Sequence, residues 1–122
     1  MDEFLDTRVY PPGEVIFREG DEGHEVFIIQ SGLVEIAKTD ESGGKTTLAF
    51  LGEGNLFGEM SLVDREPRSA TVTALEETAC YILPEQRFAA DMENTPPLIQ
   101  SMVRLLVQRL RVTTRDRPTP RL

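Results

Sequence analysis

Short runs rich in β-branched and aromatic residues recur between Gly, Pro and Asp punctuation through the first two thirds of the chain. They span Glu14–Arg18, Glu25–Gln30, Leu33–Lys38, Thr46–Leu51, Ala70–Leu75 and Thr78–Leu83. Residues of this type, bounded by turn formers, predict β-strands. Ser31-Gly32 and Ser42-Gly43-Gly44 read as hairpin connections, and Glu76-Glu77 as a tight turn joining the last two strands. Short strands at regular spacing predict an antiparallel sandwich or barrel.

After Leu83 the apolar period lengthens. Pro84 suits the first turn of a short helix whose inner face carries Phe88 and Met92, one turn apart. Asn94-Thr95-Pro96-Pro97 is a break, and Thr95 is the expected N-cap of a longer helix. There Ile99, Val103, Leu106 and Leu110 recur at helical spacing. Leu98, Met102 and Leu105 widen the stripe beyond what packing on one small barrel needs. Pro118 and Pro120 end the helix, and no internal repeat or low-complexity linker interrupts the chain. The expected architecture is mainly β. An antiparallel β-roll of jelly-roll type covers about 8–83, and helices over about 84–117 form a lid, all within one domain spanning 1–122.

Composition fits this reading and narrows the chemistry. The chain has 122 residues, of which 21 are acidic and 13 basic, for a net charge of −8. Residues 1–103 carry seven Lys/Arg against twenty Asp/Glu, whereas residues 104–122 carry six Arg against Asp116. A basic tail raises the question of nucleic acid. The acidic body would repel phosphates, however, and Arg both favours helix and suits a helix C-terminus, so no nucleic-acid partner is expected. No run approaches the roughly 18 apolar residues of a membrane span. The start, Met1-Asp2-Glu3-Phe4-Leu5-Asp6, lacks the basic and apolar regions of a secretory signal. The expected location is cytoplasmic, without membrane insertion. Cys80 is the only Cys and His24 the only His, which excludes an internal disulfide, a His-cluster metal site of the cupin type and a His-based catalytic triad. With no paired acid and base readable, an enzyme is not expected. Cys80 reads as a packed strand residue, His24 as part of a solvated turn, and Arg104, Arg109 and Arg111 as mostly solvated helix positions, one of which could stack as a cation on an aromatic face.

The segment Phe57-Gly58-Glu59-Met60-Ser61-Leu62 through Pro67-Arg68-Ser69-Ala70-Thr71-Val72 is too long for a hairpin. Its residue types suit a small anion. Gly58 allows close backbone approach, and a helical turn over 59–63 offers free N–H groups. Arg68 supplies a bidentate donor and Ser69 a hydroxyl. Glu59 is wrong for a phosphate but right for a sugar hydroxyl, so the pair points to a ribose phosphate. The competing reading of Glu59 and Arg68 is a structural ion pair across a loop. Leu48 and Phe50 line either the pocket or the core.

Gly58-Glu59, with Arg68 nine residues after the Glu, resembles the phosphate-binding cassette of cyclic nucleotide-binding domains. Pro12-Gly13-Glu14-Val15-Ile16, Gly20-Asp21 and Phe27-Ile28-Ile29-Gln30-Ser31-Gly32-Leu33-Val34-Glu35-Ile36 also resemble that family, over nearly the whole chain. The resemblance implies a β-roll sensor for cAMP, with cGMP as the alternative ligand. It places Glu59 on the ribose 2′-hydroxyl and Arg68 on the cyclic phosphate, with further phosphate contacts from Gly58 and Ser69. A Ser at position 69 is also compatible with guanine.

Arg109-Leu110-Arg111-Val112-Thr113-Thr114 is similar to the last helix of the bacterial catabolite-activator type, which carries Arg-Leu-Gln-Val-Thr-Ser there. That likeness implies that Thr113 meets the adenine amino group and that Thr114 reaches ligand in a partner subunit; the alternative for both is a frayed helix end. It implies signalling by movement of the C-terminal helix, and a homodimer through that helix or an unidentified effector protein. The activator type continues into a helix-turn-helix domain while this sequence stops at Leu122, so DNA binding is not carried over. A regulatory fragment of a larger channel, kinase or transcription factor, and an interaction module without ligand, are the alternative functions.

Overall fold

The computed structural model describes residues 6–115, with side chains through Arg111. Two four-stranded antiparallel sheets face each other. One has the order β1 (Asp6–Tyr10), β8 (Thr78–Pro84), β3 (Glu25–Ser31), β6 (Leu56–Phe57). The other has the order β2 (Val15–Phe17), β7 (Thr71–Ala74), β4 (Leu33–Thr39), β5 (Lys45–Gly52). Helix α1 (Glu59–Asp64) interrupts the strands, and α2 (Glu85–Glu93) and α3 (Pro97–Arg115) follow them. This is the β-roll read from the sequence.

Alternation builds the interior. On β8, Thr78, Cys80 and Ile82 are buried while Ala79, Tyr81 and Leu83 between them are half-buried, as the two-residue period of a strand requires. Phe27, Ile29, Val34, Phe57, Val72, Cys80 and Ile82 form the core between the sheets. Burial pushes the Cys80 thiol up to about 11, so it packs as a small apolar group.

Two expected hairpins are corners instead. β3 and β4 lie in different sheets, as do β7 and β8, so Ser31-Gly32 and Glu76-Glu77 carry the chain from one sheet to the other. Buried Thr78 ties the corners together, its hydroxyl donating to the carbonyl of Glu76 and accepting from the N–H of Leu33. Ser42-Gly43-Gly44 is a true hairpin, pairing Thr39 with Lys45.

The helix starts also differ from expectation. Pro84 is the N-cap of α2 and lies outside the helix. Pro96, not Thr95, immediately precedes α3: its carbonyl accepts the Gln100 N–H, while the Thr95 hydroxyl donates back to Asp91. Pro97 then occupies the first helical position, where its missing N–H costs nothing. Phe88 and Met92 are half-buried as expected. On α3 the inward stripe is Val103, Val107 and Arg111, with Val107 and Arg111 buried. Leu98, Ile99, Met102, Leu105, Leu106 and Leu110 remain 44–70% exposed.

Candidate functional site

Arg68 is held in place by both its backbone and its side chain. Its backbone is clamped to the β2–β3 loop, the N–H donating to Asp21 and the carbonyl accepting from Gly20, both at 2.8 Å. The side chain is 5% exposed, and its guanidinium lies 4.1 Å from the centre of the Phe17 ring. Phe27 and Phe57 stack at 4.9 Å beside Phe17 and complete an aromatic floor. Nη1 donates to the Gly58 carbonyl and Nη2 to the Glu25 carbonyl at 2.8 Å. Nε has no acceptor. Burial lowers the affinity of the guanidinium for its proton, opposed by Glu25, Glu59 and Asp21 and reinforced by Arg111. A buried cation with an unpartnered N–H costs stability until an anion meets it.

Two glycines make this placement possible. Gly58 precedes α1 with φ +86°, and a Cβ there would come within 2.9 Å of Arg68 Nη1 and 3.3 Å of the Glu25 carbonyl. At Gly23 a Cβ would stand 2.6 Å from the guanidinium carbon and 2.7 Å from Ser61 Cβ. The sequence reading singled out Gly58 and missed Gly23, whose only signal was a Gly in a polar turn. The turn beginning at Glu59 is a helix of six residues, and its first N–H groups have no partner within it. Arg65, the C-cap, adopts the left-handed conformation at φ +62°.

Glu59 does not pair with Arg68: among the described residues no ion pair joins them, and both Nη atoms are committed to backbone carbonyls. The ion-pair alternative is thereby set aside. Desolvation raises the Glu59 carboxyl above its ordinary value, with its own N–H and Arg68 pulling the other way. A partly buried carboxylate of this kind is an acceptor awaiting donors.

Gly58, Glu59, Met60, Ser61, Arg68 and Ser69 line one side of a cavity of about 330 Å³. Ile36, Leu48, Ala49 and Leu51 line the apolar side, and Leu110 of α3 reaches its mouth. That volume is at the small end of ligand sites, which run to roughly 300–1,000 Å³. Leu48 joins the pocket because β5 bulges there: Ile36 pairs with Ala49 and Ala37 with Thr47, leaving Leu48 as the extra residue. Phe50 points outward, 60% exposed, and belongs to neither pocket nor core. Thr113 and Thr114 lie on α3, but their side chains are outside the described residues. His24 is exposed, as expected, between Glu22 and Glu85. Arg111, expected on a solvated face, is buried against α1. Among the described residues no three His, Cys, Asp or Glu side chains group to hold a metal, and no helix is long and apolar enough to cross a membrane.

The cavity's polar end and apolar wall fit an amphipathic anion with hydroxyls, and comparison with known proteins agrees. The cyclic AMP receptor protein of Thermus thermophilus is 39% identical over 108 residues, covering 88% of this chain and 50% of the receptor. The cAMP-dependent protein kinase regulatory subunit of Blastocladiella emersonii is 37% identical over 69% of this chain and 21% of the subunit. The Thermus thermophilus catabolite activator protein superposes with a TM-score of 0.76 at 38% identity, over 92% of this chain and 53% of the activator. The EAL enzyme Bd1971 in its cAMP-bound form superposes with a TM-score of 0.83 at 36% identity, over 87% of this chain and 28% of the enzyme. This chain thus spans about half the length of the bacterial receptor it matches and less of the larger regulators. The model of the cyclic nucleotide-binding domain matches residues 7–95, a span that takes in both sheets, the Gly58–Ser69 segment and α2, and the chain belongs to that family.

Proposed function

We propose that this regulatory domain binds cAMP in the cavity under Leu110 and reports occupancy through α3, without catalysing a reaction itself. The observation that carries the reading is the buried Arg68 guanidinium with its unpartnered Nε–H at the polar end of an otherwise apolar pocket. A cyclic phosphate supplies the missing acceptor and neutralises the charge. Gly58 and Ser69 add backbone and hydroxyl contacts, and Glu59 accepts from the ribose 2′-hydroxyl. The purine then lies along Ile36, Leu48, Ala49 and Leu51, with Leu110 over it and Thr113 at the adenine amino group. Thr114 is assigned to a partner's ligand.

Because Leu110 belongs to α3, a ligand that touches it binds the docked helix better than an undocked one. That difference in affinity is what a switch needs. Leu98, Met102, Leu105, Leu106 and Leu110 leave an apolar face of α3 exposed, of the kind that marks an interaction surface, and self-association of two copies along it is the reading we favour, in the cytoplasm and as part of a longer regulator. Ser69 supports cGMP as a second ligand, and Bd1971 has also been solved in a cGMP-bound form. Calorimetric titration with cAMP and cGMP side by side tests the proposal. Saturable 1:1 heat with cAMP, stronger than with cGMP, is expected; no heat with either overturns it.

A further inference from the structure

Arg111 stands out once the pocket is accounted for. It follows Leu110, the α3 residue at the pocket mouth, and is only 8% exposed, one turn beyond buried Val107 on the inward stripe of the helix. Its guanidinium closes on α1. Nε and Nη2 donate to the two carboxylate oxygens of Asp64, the Nη2 bond measuring 3.0 Å. Nη2 also donates to the Glu66 carbonyl at 3.2 Å and lies 3.5 Å from the Ser61 hydroxyl. One side chain of α3 therefore engages the middle, the end and the exit of the cassette helix.

A fully apolar residue would fill the same space at lower desolvation cost, so the pair is weak evidence for stability and better evidence for a fixed geometry. The geometry it fixes is the one in which Leu110 meets the pocket. Ser61 makes the connection direct, since it lines the cavity on one side and abuts Arg111 on the other.

We propose that Arg111 is a positioning residue: its fork on Asp64 latches α3 onto the cassette helix and sets how long a bound nucleotide stays. This rests on the nucleotide-binding reading above. A ligand in contact with Leu110 enters and leaves only when α3 undocks, so a latch closed in both the free and the bound protein slows association and dissociation alike.

Arg111→Met keeps the packing and removes the fork, while Asp64, partly solvated, tolerates loss of its partner. Two readouts are needed on the full chain. Spin labels on Glu41→Cys and Gln108→Cys report the distance from α3 to the roll without nucleotide; Arg111→Met should broaden that distribution, and an unchanged narrow one overturns the latch. Stopped-flow release of cAMP labelled at purine C8, chased with unlabelled cAMP, reports the coupling. Arg111→Met should speed release and association together, roughly tenfold each, with Kd within about threefold of the parent, whereas damage to the pocket itself speeds release alone and raises Kd. Asp64→Asn should add nothing in the Arg111→Met background; additive effects, or parental release rates in Arg111→Met, overturn the proposal. A parent that binds no cAMP but whose distance distribution broadens on Arg111→Met defeats the nucleotide reading and keeps the latch.

Discussion

Truncating Arg68 to Ala tests the site at its most constrained point. The substitution removes a guanidinium that donates to the Gly58 and Glu25 carbonyls and lies 4.1 Å over Phe17. Without nucleotide the two effects oppose each other. Two buried carbonyls lose donors, at about 1–3 kcal/mol each for groups left unsatisfied. At the same time the cost of burying a cation with an orphaned Nε–H disappears. The free protein should therefore stay folded, with a modestly lowered Tm. With nucleotide nothing offsets the loss, because a phosphate charge is left in a largely apolar pocket without its cation and the Nε–H donor. Removing one partner of such a pair costs ~2–5 kcal/mol, which is roughly thirtyfold to several thousandfold in Kd.

Calorimetric cAMP titration of the parent, Arg68→Ala, Arg68→Lys and Arg68→Met separates the causes. Met restores contact with the aromatic floor and no charge, so it should bind as poorly as Ala. Lys restores charge without the fork and should fall between Ala and the parent. A folded Ala variant whose affinity lies within twofold of the parent would remove Arg68 from the ligand. Parent-like binding by Met would show that Arg68 matters through packing alone.

Other residues give independent tests. 2′-Deoxy-cAMP should bind the parent about 1.5–3 kcal/mol worse than cAMP, yet bind Glu59→Ala nearly as well as cAMP does; equal losses in both proteins would place Glu59 elsewhere. Because burial raises the Glu59 carboxyl above its ordinary 4.5, its ionisation destabilises the free fold as pH climbs through the raised value and has no effect below 4.5. Glu59→Gln should thus raise Tm of the nucleotide-free protein at about pH 7 but not at about pH 3.5, and an equal gain at both would exclude desolvation as the cause. Thr113→Ala should weaken cAMP about fivefold, near 1 kcal/mol for a neutral hydrogen bond, and cGMP less. Equal effects on both ligands would separate Thr113 from the adenine amino group.

What the sequence disclosed followed from local periodicity. β3, β4, β5, β7 and β8 were legible because each carries enough apolar residues to mark a buried face. β1 was not: as an edge strand it leaves Val9 exposed, and only Tyr10 is half-buried. β6 has two residues, too few to show a period. Corners passed for hairpins because two polar residues link strands equally well within a sheet or between sheets. Gly58, Glu59, Arg68 and Ser69 were read together from the chemistry a ribose phosphate would demand, and the fold brings all four to the lining of one cavity. Leu48 separated from Phe50 only through a bulge, which a two-residue period cannot foresee. Arg111 was misplaced for a different reason. An Arg on a helix reads as solvated unless its counter-charge is known, and Asp64 lies 47 positions away in sequence.

On the proposed function, the same non-local contacts make α1 the point where binding becomes movement. Its six residues leave no face idle. Glu59, Met60 and Ser61 border the nucleotide cavity. Leu62 and Val63, with Arg65 just beyond, border a second cleft that α2 closes with Phe88, Ala89 and Met92 and α3 closes with Gln100 and Arg104. Asp64 is held by Arg111, and Arg65 reaches Glu85 at the start of α2. A helix this short has little cooperative stability of its own, so its position is set by these neighbours. On that reading a phosphate drawn toward Gly58 and Arg68 would pull on the N-terminal end of α1, while α2 and α3 grip the other end. The paired strands of the roll cannot follow such a shift without losing hydrogen bonds, whereas α3, with its outer face unburied, can. The proposed switch thus expresses displacement of the cassette in the lid.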